Sequence, residues 1–393
     1  MTKNQSEGFI KISIIGNEWT YQFSFYLFLV LFIFNGYEFG TIVERAFIPT
    51  ILLILSTFIV QCKNIKKPFL QAAILSILAV VSTYFSNVIN ITQSRILTFC
   101  FCCFTFALVS CAKISRPTVK RIINFYVKFV FALIVIVLTG YLFKFGIDSF
   151  GRASINFGSF YKDQNYLSAF FMPAFAICFY GVINYQKRKI MNSIQCGFTF
   201  LAVFFMGSRG SLLTLLLIIA LVVAKLVLND QGTIKKIGFA CLLTVSVFAF
   251  YLGIQSSPLF QRMFNFETYS LDIRVRLWVA GLSGFYENYL LGSGIGAASA
   301  YAWSSVGNAV HNSFIEILSD QGILGSAVLL WMILDIIIKP RGSRFFLFIL
   351  MVAFFVPLFF LSGYSNFTFW APMFFMKLLS NQFCEWSFER LYE

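Results

Sequence analysis

Twelve apolar runs, most of them close to 20 residues long, divide this chain. They fall at roughly 20–36, 42–61, 69–86, 96–112, 122–143, 166–184, 190–207, 211–228, 237–255, 313–338, 345–361 and 366–380. About 20 apolar residues are what an α-helix needs to cross the hydrocarbon layer of a bilayer. Inside that layer only helices and closed barrels satisfy their own backbone, and a barrel would show short alternating strands instead. The expectation is an all-α, polytopic integral membrane protein of about twelve transmembrane helices, forming a single membrane domain over 1–393. Charged residues make up 12% of the sequence, against about 25% in soluble domains. Lys3, Glu7, Lys11 and Glu18 precede the first run and no small-residue cleavage site follows it, so that run reads as a retained helix rather than a signal peptide.

The formal charge is +14. In a soluble protein this would suggest nucleic acid, but there is no interleaved basic and aromatic motif, and no nucleic-acid partner is expected. Alternate loops hold the excess: Lys63, Lys66 and Lys67; Lys113, Arg116, Lys120 and Arg121; Lys187, Arg188 and Lys189; Lys235 and Lys236; Lys339, Arg341 and Arg344. The positive-inside rule puts these loops and both termini in the cytoplasm. The opposite face then receives Arg152, Arg209, Arg274, Arg276 and His311, and its largest loop spans 256–312. The 52 phenylalanines read as lipid-facing filler. Cys100, Cys102, Cys103 and Cys111 sit in one apolar run, where cysteine behaves as a small hydrophobe. With one histidine in the chain, no metal site is expected.

The outer-face groups carry the chemistry. Arg209, in Gly207-Ser208-Arg209-Gly210-Ser211, sits between two long apolar runs. Near a bilayer centre an arginine costs about 3 kcal/mol, so it must find water, a partner or a ligand. A snorkelling anchor is the plainer alternative. Arg274 and Trp278 share a helical face at i, i+4, and Leu271, Val275, Trp278 and Leu282 suggest a helix lying on the outer surface. There the plain alternative is contact with lipid phosphates. Gly292-Ser293-Gly294-Ile295-Gly296 reads as a tight turn, with a backbone nest for phosphate as the other possibility. Ser313-Phe314-Ile315-Glu316 reads as a capping box opening the tenth helix. His311 then stands just ahead of a helix N-terminus, whose partial positive charge favours a neutral imidazole fit to act as a base. Asn165 or Asp163 is expected to cap the sixth helix. No Asp-x-Asp pair and no Walker loop occur, so catalysis is expected to rest on arginines and one base, without metal or cofactor.

The chain resembles the O-antigen polymerase/ligase superfamily of bacterial inner-membrane proteins. The resemblance rests on Ser208-Arg209-Gly210-Ser211-Leu212-Leu213, on Arg274-x-x-x-Trp278 followed by Gly292-x-Gly294, and on His311-Asn312-x-Phe314-x-Glu316 followed by Gly322-x-x-Gly325. The segment from Gly158 to Leu167 also resembles the family's loop before a helix, so the likeness covers roughly residues 150–330. Many relatives carry Pro shortly before the Gly-x-Gly turn, where this chain has Asn288 and Tyr289. The resemblance implies kinship with membrane-embedded glycosyltransferases of the GT-C type. It implies an undecaprenyl-pyrophosphate-linked glycan donor and acceptor met at the periplasmic face, membrane lipid around them and a chain-length regulator as a protein partner. Arg209 and Arg274 would hold the leaving pyrophosphate and His311 would accept the proton of the attacking hydroxyl, with inversion. Arg276, Arg152, Asn165, Trp278 and Asn312 would bind substrate.

Three activities fit such a chain. A polymerase, the reading favoured here, passes the growing glycan to a new lipid-linked repeat unit. A ligase passes it to lipid A–core. A flippase or exporter of lipid-linked oligosaccharide would instead carry polar residues through the middle of many spans, whereas the charges here gather at the outer ends, with Lys128 and Lys225 as exceptions.

Overall fold

The computed structural model describes residues 18–33, 47–60, 62, 65–86, 93–148, 151–157, 160–184, 188–228, 268–338, 344–365 and 367–383. The ninth apolar run, 237–255, lies outside them. In each of the other eleven runs the described residues form a helix: α1 (Glu18–Ile33), α2 (Phe47–Ile59), α3 (Lys66–Tyr84), α4 (Gln93–Cys111), α5 (Arg116–Leu142), α6 (Gln164–Asn184), α7 (Lys189–Phe205), α8 (Arg209–Leu228), α12 (Ser313–Ile338), α13 (Arg344–Phe355) and α14 (Phe367–Phe383). Between α8 and α12 the chain forms α9 (Thr268–Gly281), α10 (Ser283–Glu287) and α11 (Ala297–Val306). Among the described residues four helices, Lys66–Tyr84, Arg116–Leu142, Gln164–Asn184 and Ser313–Ile338, are long and apolar enough to cross a membrane. The segment before α6 holds a hairpin that hydrophobic periodicity did not reveal, with Ile155 paired to Lys162 and Phe157 to Phe160.

Polar contacts sort the helix ends into two sets. In one, Glu18 accepts from the Ser115 backbone N–H at 3.1 Å and from the Thr118 hydroxyl at 2.6 Å. Asn381 donates to the Ser110 carbonyl, and buried Asp335 takes Lys377 at 3.2 Å and also Lys67. In the other, the Ile295 N–H reaches the Thr83 hydroxyl, the Ala153 N–H reaches the Phe205 carbonyl, and the Tyr166 hydroxyl reaches the Ser362 carbonyl. The basic loops around Lys66 and Lys113 belong to the first set, and the site residues below belong to the second.

Among the described residues, part of the phenylalanine fills the interior rather than facing lipid. Phe25, Phe28, Phe99, Phe106, Phe171, Phe204, Phe346 and Phe367 are fully buried between helices. Rings meet edge to face, as with Phe99 and Trp370 at 5.7 Å and 72°, a geometry that adds to simple area burial. On α9 Leu277 is the buried anchor, packed with Ala298, Ala302 and Val310, while Val275 is 51% exposed.

Helix α12 is broken at Gly322, where φ is +59° and ψ is −164°. The backbone groups freed by the break are met by the glycine turn. Ser293 and Gly294 donate N–H groups to the carbonyls of Ser319 and Asp320, and Ile323 and Leu324 donate to Tyr289 and Leu290. The close approach demands glycine on both sides: a Cβ on Gly292 would stand 2.5 Å from the Asp320 backbone, and one on Gly322 2.4 Å from the Leu290 carbonyl oxygen. Gly292, Gly294 and Gly296 all have positive φ, and the nest is filled by the protein itself. The Asp320 carboxylate accepts the N–H of Gly296 at 2.5 Å and of Ala298 at 2.8 Å.

Candidate functional site

The arginine on α8 is delivered by a sharp reversal. Gly207, at φ +62°, closes α7 by donating to the Phe204 carbonyl, and α8 begins two residues later at Arg209. Ser211 ties that first turn to α6 through the Ser168 hydroxyl at 2.8 Å. Gly210 lets the Phe360 ring lie against the helix, since a Cβ there would sit 2.7 Å from a ring carbon. Arg274, half-buried on α9, also stands over that ring, with its Cζ 5.7 Å from the centroid.

Arg274 makes no ion pair with a carboxylate among the described residues. Burial first, and then the charge of Arg209, press its pKa downward. A guanidinium stays protonated in proteins, so the shift marks a cation short of counter-charge rather than one that loses its proton. Such a pair of cations favours an anion between them.

His311 comes from the segment ahead of α12. Its backbone is left-handed, at φ +52°, a conformation costing a non-glycine residue about 1–3 kcal/mol. Its N–H donates to the Ser362 hydroxyl at 2.8 Å, and its Nε2 lies 3.2 Å from the Asn308 side-chain oxygen. Burial chiefly, and then Arg274, lower the imidazole pKa below 6.5, while Asp163 pulls the other way. The ring is therefore neutral at pH 7, with a carboxylate near enough to favour the imidazolium once a proton arrives.

The remaining residues singled out in the sequence are placed as follows. Arg276 is exposed on α9, turned away from the Arg274 face. Arg152 is held by Asp148 at 2.7 Å and runs along Gly207. Asp163, not Asn165, caps α6, accepting the N–H groups of Asn165 at 2.9 Å and Tyr166 at 3.3 Å. Trp278 is half-buried, and its indole N–H is buried without a partner among the described residues. Asn312 caps α12 by accepting from Phe314 and Ile315.

That last observation replaces the expected capping box. Ser313 donates instead to the Leu361 carbonyl at 2.8 Å. Glu316 accepts from the backbone of Gly363 at 2.9 Å and Tyr364 at 3.4 Å. A stronger cap one residue upstream leaves both side chains free to reach another segment. Asp163 as a neighbour of His311, Phe360 as the seat of Arg274 and Ser362 as the partner of His311 were all missed. Asp163 carried a signal as a helix cap, but nothing local marks Phe360 or Ser362.

An apolar cavity, with an empty volume of about 740 Å³ including its open mouth, adjoins this site. Leu29, Phe170, Leu358 and Phe375 line it, and Tyr166 and Leu361 form a wall that it shares with the Ser362 segment.

Residues 194–330 match the family model described as O-antigen ligase. No curated protein and no solved structure matches the chain. The matched stretch carries Arg209, Arg274 and His311 together, and over it the chain is similar to the O-antigen polymerase/ligase superfamily.

Proposed function

We propose that this multi-pass membrane protein is an inverting glycosyltransferase that polymerises undecaprenyl-pyrophosphate-linked repeat units at the periplasmic face of the bacterial inner membrane, with both termini cytoplasmic and about twelve crossings. The observation carrying this reading is the convergence of Arg209, Arg274 and His311, with Arg274 lacking a carboxylate partner among the described residues. An acceptor hydroxyl gives its proton to the His311 imidazole as its oxygen bonds to the anomeric carbon of the donor. The bond from that carbon to the pyrophosphate oxygen breaks, and the electron pair leaves with the pyrophosphate. Arg209 and Arg274 take up the charge developing there. Because the new bond forms opposite the old one, configuration inverts. The apolar cavity beside the site supports a donor carrying a lipid tail, since apolar surface next to paired cations suits an amphiphile.

The ligase reading has one observation in its favour, the description of the matching family model. Membranes containing the protein and one lipid-linked repeat unit, with no lipid A–core, separate the two. Products that lengthen with time support polymerisation, and folded protein giving none refutes it. His311→Ala is expected to abolish extension, as loss of a general base costs about 10²–10⁴ in rate. Extension at the native rate would remove His311 as the base.

A further inference from the structure

We propose that Ser362 and Glu316 are positioning residues for His311, fixing the imidazole through the segment 361–364. The inference rests on the reading of His311 as the base. His311 lies outside any helix and in the left-handed region, so no secondary-structure ladder sets the direction of its side chain. The bond that orients its peptide is the one to the Ser362 hydroxyl at 2.8 Å. Ser362 in turn accepts the Tyr166 hydroxyl at its carbonyl, at 2.8 Å. Tyr166 is in the first turn of α6, which is capped by Asp163, the carboxylate acting on His311. One serine thus bridges the base and the element carrying its counter-charge.

Something must hold Ser362 still, because 361–363 have no regular structure. Glu316 does this. It is 5% exposed, accepts from the backbones of Gly363 and Tyr364, and takes the Ser299 hydroxyl at 3.1 Å. Ser313 adds a bond to the Leu361 carbonyl. Glu316 and Ser313 belong to the same first turns of α12 that His311 leads into, so the loop closes a short circuit. His311 is bonded to Ser362, Ser362 is adjacent to Gly363, and Gly363 is bonded to Glu316. Neither side chain touches reacting atoms in this scheme. Each acts by keeping the ring at its place between Arg274 of α9 and Asp163 ahead of α6.

The test measures glycan extension in membranes over a range of pH, with thermal stability of purified protein alongside. Ser362→Ala is expected to lower kcat about tenfold or more, with KM for the lipid-linked unit within about twofold. The acid limb of its rate profile should move up toward 6.5, the ordinary imidazole value, as the ring loosens from Arg274 and from its burial. Ser362→Thr, which keeps the hydroxyl, should recover rate and profile where the near-isosteric Ser362→Val does not. That pair decides the matter if the alanine variant folds poorly. Glu316→Gln keeps an acceptor oxygen for Gly363 and Tyr364 and should retain most activity, whereas Glu316→Ala should resemble Ser362→Ala. A folded Ser362→Val with native kcat and native pH profile overturns the proposal. So does a folded Glu316→Gln as inactive as Glu316→Ala, because charge and not hydrogen bonding would then be at work. If His311→Ala itself extends glycan normally, the base reading fails first. If His311→Ala is inactive while Ser362→Val is native, only the positioning role fails.

Discussion

Replacing Asp320 by alanine removes the acceptor from two buried backbone N–H groups at once, those of Gly296 and Ala298. The carboxylate is 1% exposed, so water has no route to either donor unless the turn opens. Each stranded donor costs about 1–3 kcal/mol, giving about 2–6 kcal/mol for the alanine variant. Asp320→Asn retains one oxygen and turns an amide N–H₂ toward the other donor, so its cost should be about half of that, roughly 1–3 kcal/mol. The backbone pairing of Gly294 with the Asp320 carbonyl is untouched in both, which keeps the comparison on the side chain alone. Denaturant unfolding of detergent-purified protein in phosphate-free buffer, followed by tryptophan fluorescence, should order the three as native, then Asn, then Ala.

The ordering matters because a nest of three left-handed glycines resembles an anion site. If the protein's own carboxylate fills it, the nest is structural, and it pins the broken helix to the turn in front of it. Should Asp320→Ala prove as stable as the native chain, within about 0.5 kcal/mol, another acceptor must already reach those N–H groups. The assignment of the nest to Asp320 would then be wrong, and the glycines would again be candidates for holding phosphate.

Arg274→Lys should lower extension more than Arg276→Lys, since Arg274 faces Phe360 and Arg209 while Arg276 is exposed. The loss of one charge-assisted contact, about 1.5–3 kcal/mol, corresponds to roughly ten- to a hundredfold, and equal losses in a polymer-length assay would refute the ranking. Asp163→Asn keeps a competent helix cap but removes the charge that raises the His311 pKa. The base works as the neutral ring, so a lower pKa should carry the acid limb of the rate profile to lower pH, and a limb moving upward would contradict the placement. Gly210→Ala should reduce activity although alanine favours helices by about 1 kcal/mol, because its Cβ would meet the Phe360 ring at 2.7 Å and disturb the seat of Arg274. Native activity in that variant would mean the ring yields without consequence.

How far the sequence could be read depended on the range over which each signal acts. Helices were legible because length and hydropathy are local, and Arg209 because a charge between two apolar runs stands out wherever the runs pack. The same locality misled at Ser313 and Glu316, which have capping-box spacing, while Asn312 takes the cap and Glu316 reaches 47 residues along the chain to Gly363. Gly292, Gly294 and Gly296 announced a backbone able to hold an anion, but the occupant of the nest stands 24 residues beyond Gly296 and had no reason to be matched with it. Ser362 had no signal at all. It is an uncharged residue in an apolar stretch, and its importance comes only from meeting His311 across 51 residues. Charges that must bind something outside the protein can be found by their cost in lipid. Groups that hold those charges in place are satisfied inside the fold, and their cost vanishes from the sequence as soon as the partner is supplied by a distant segment. A search for further positioning residues in this protein should therefore begin from buried, fully bonded polar side chains near His311 and Arg274, and not from the remaining unexplained charges.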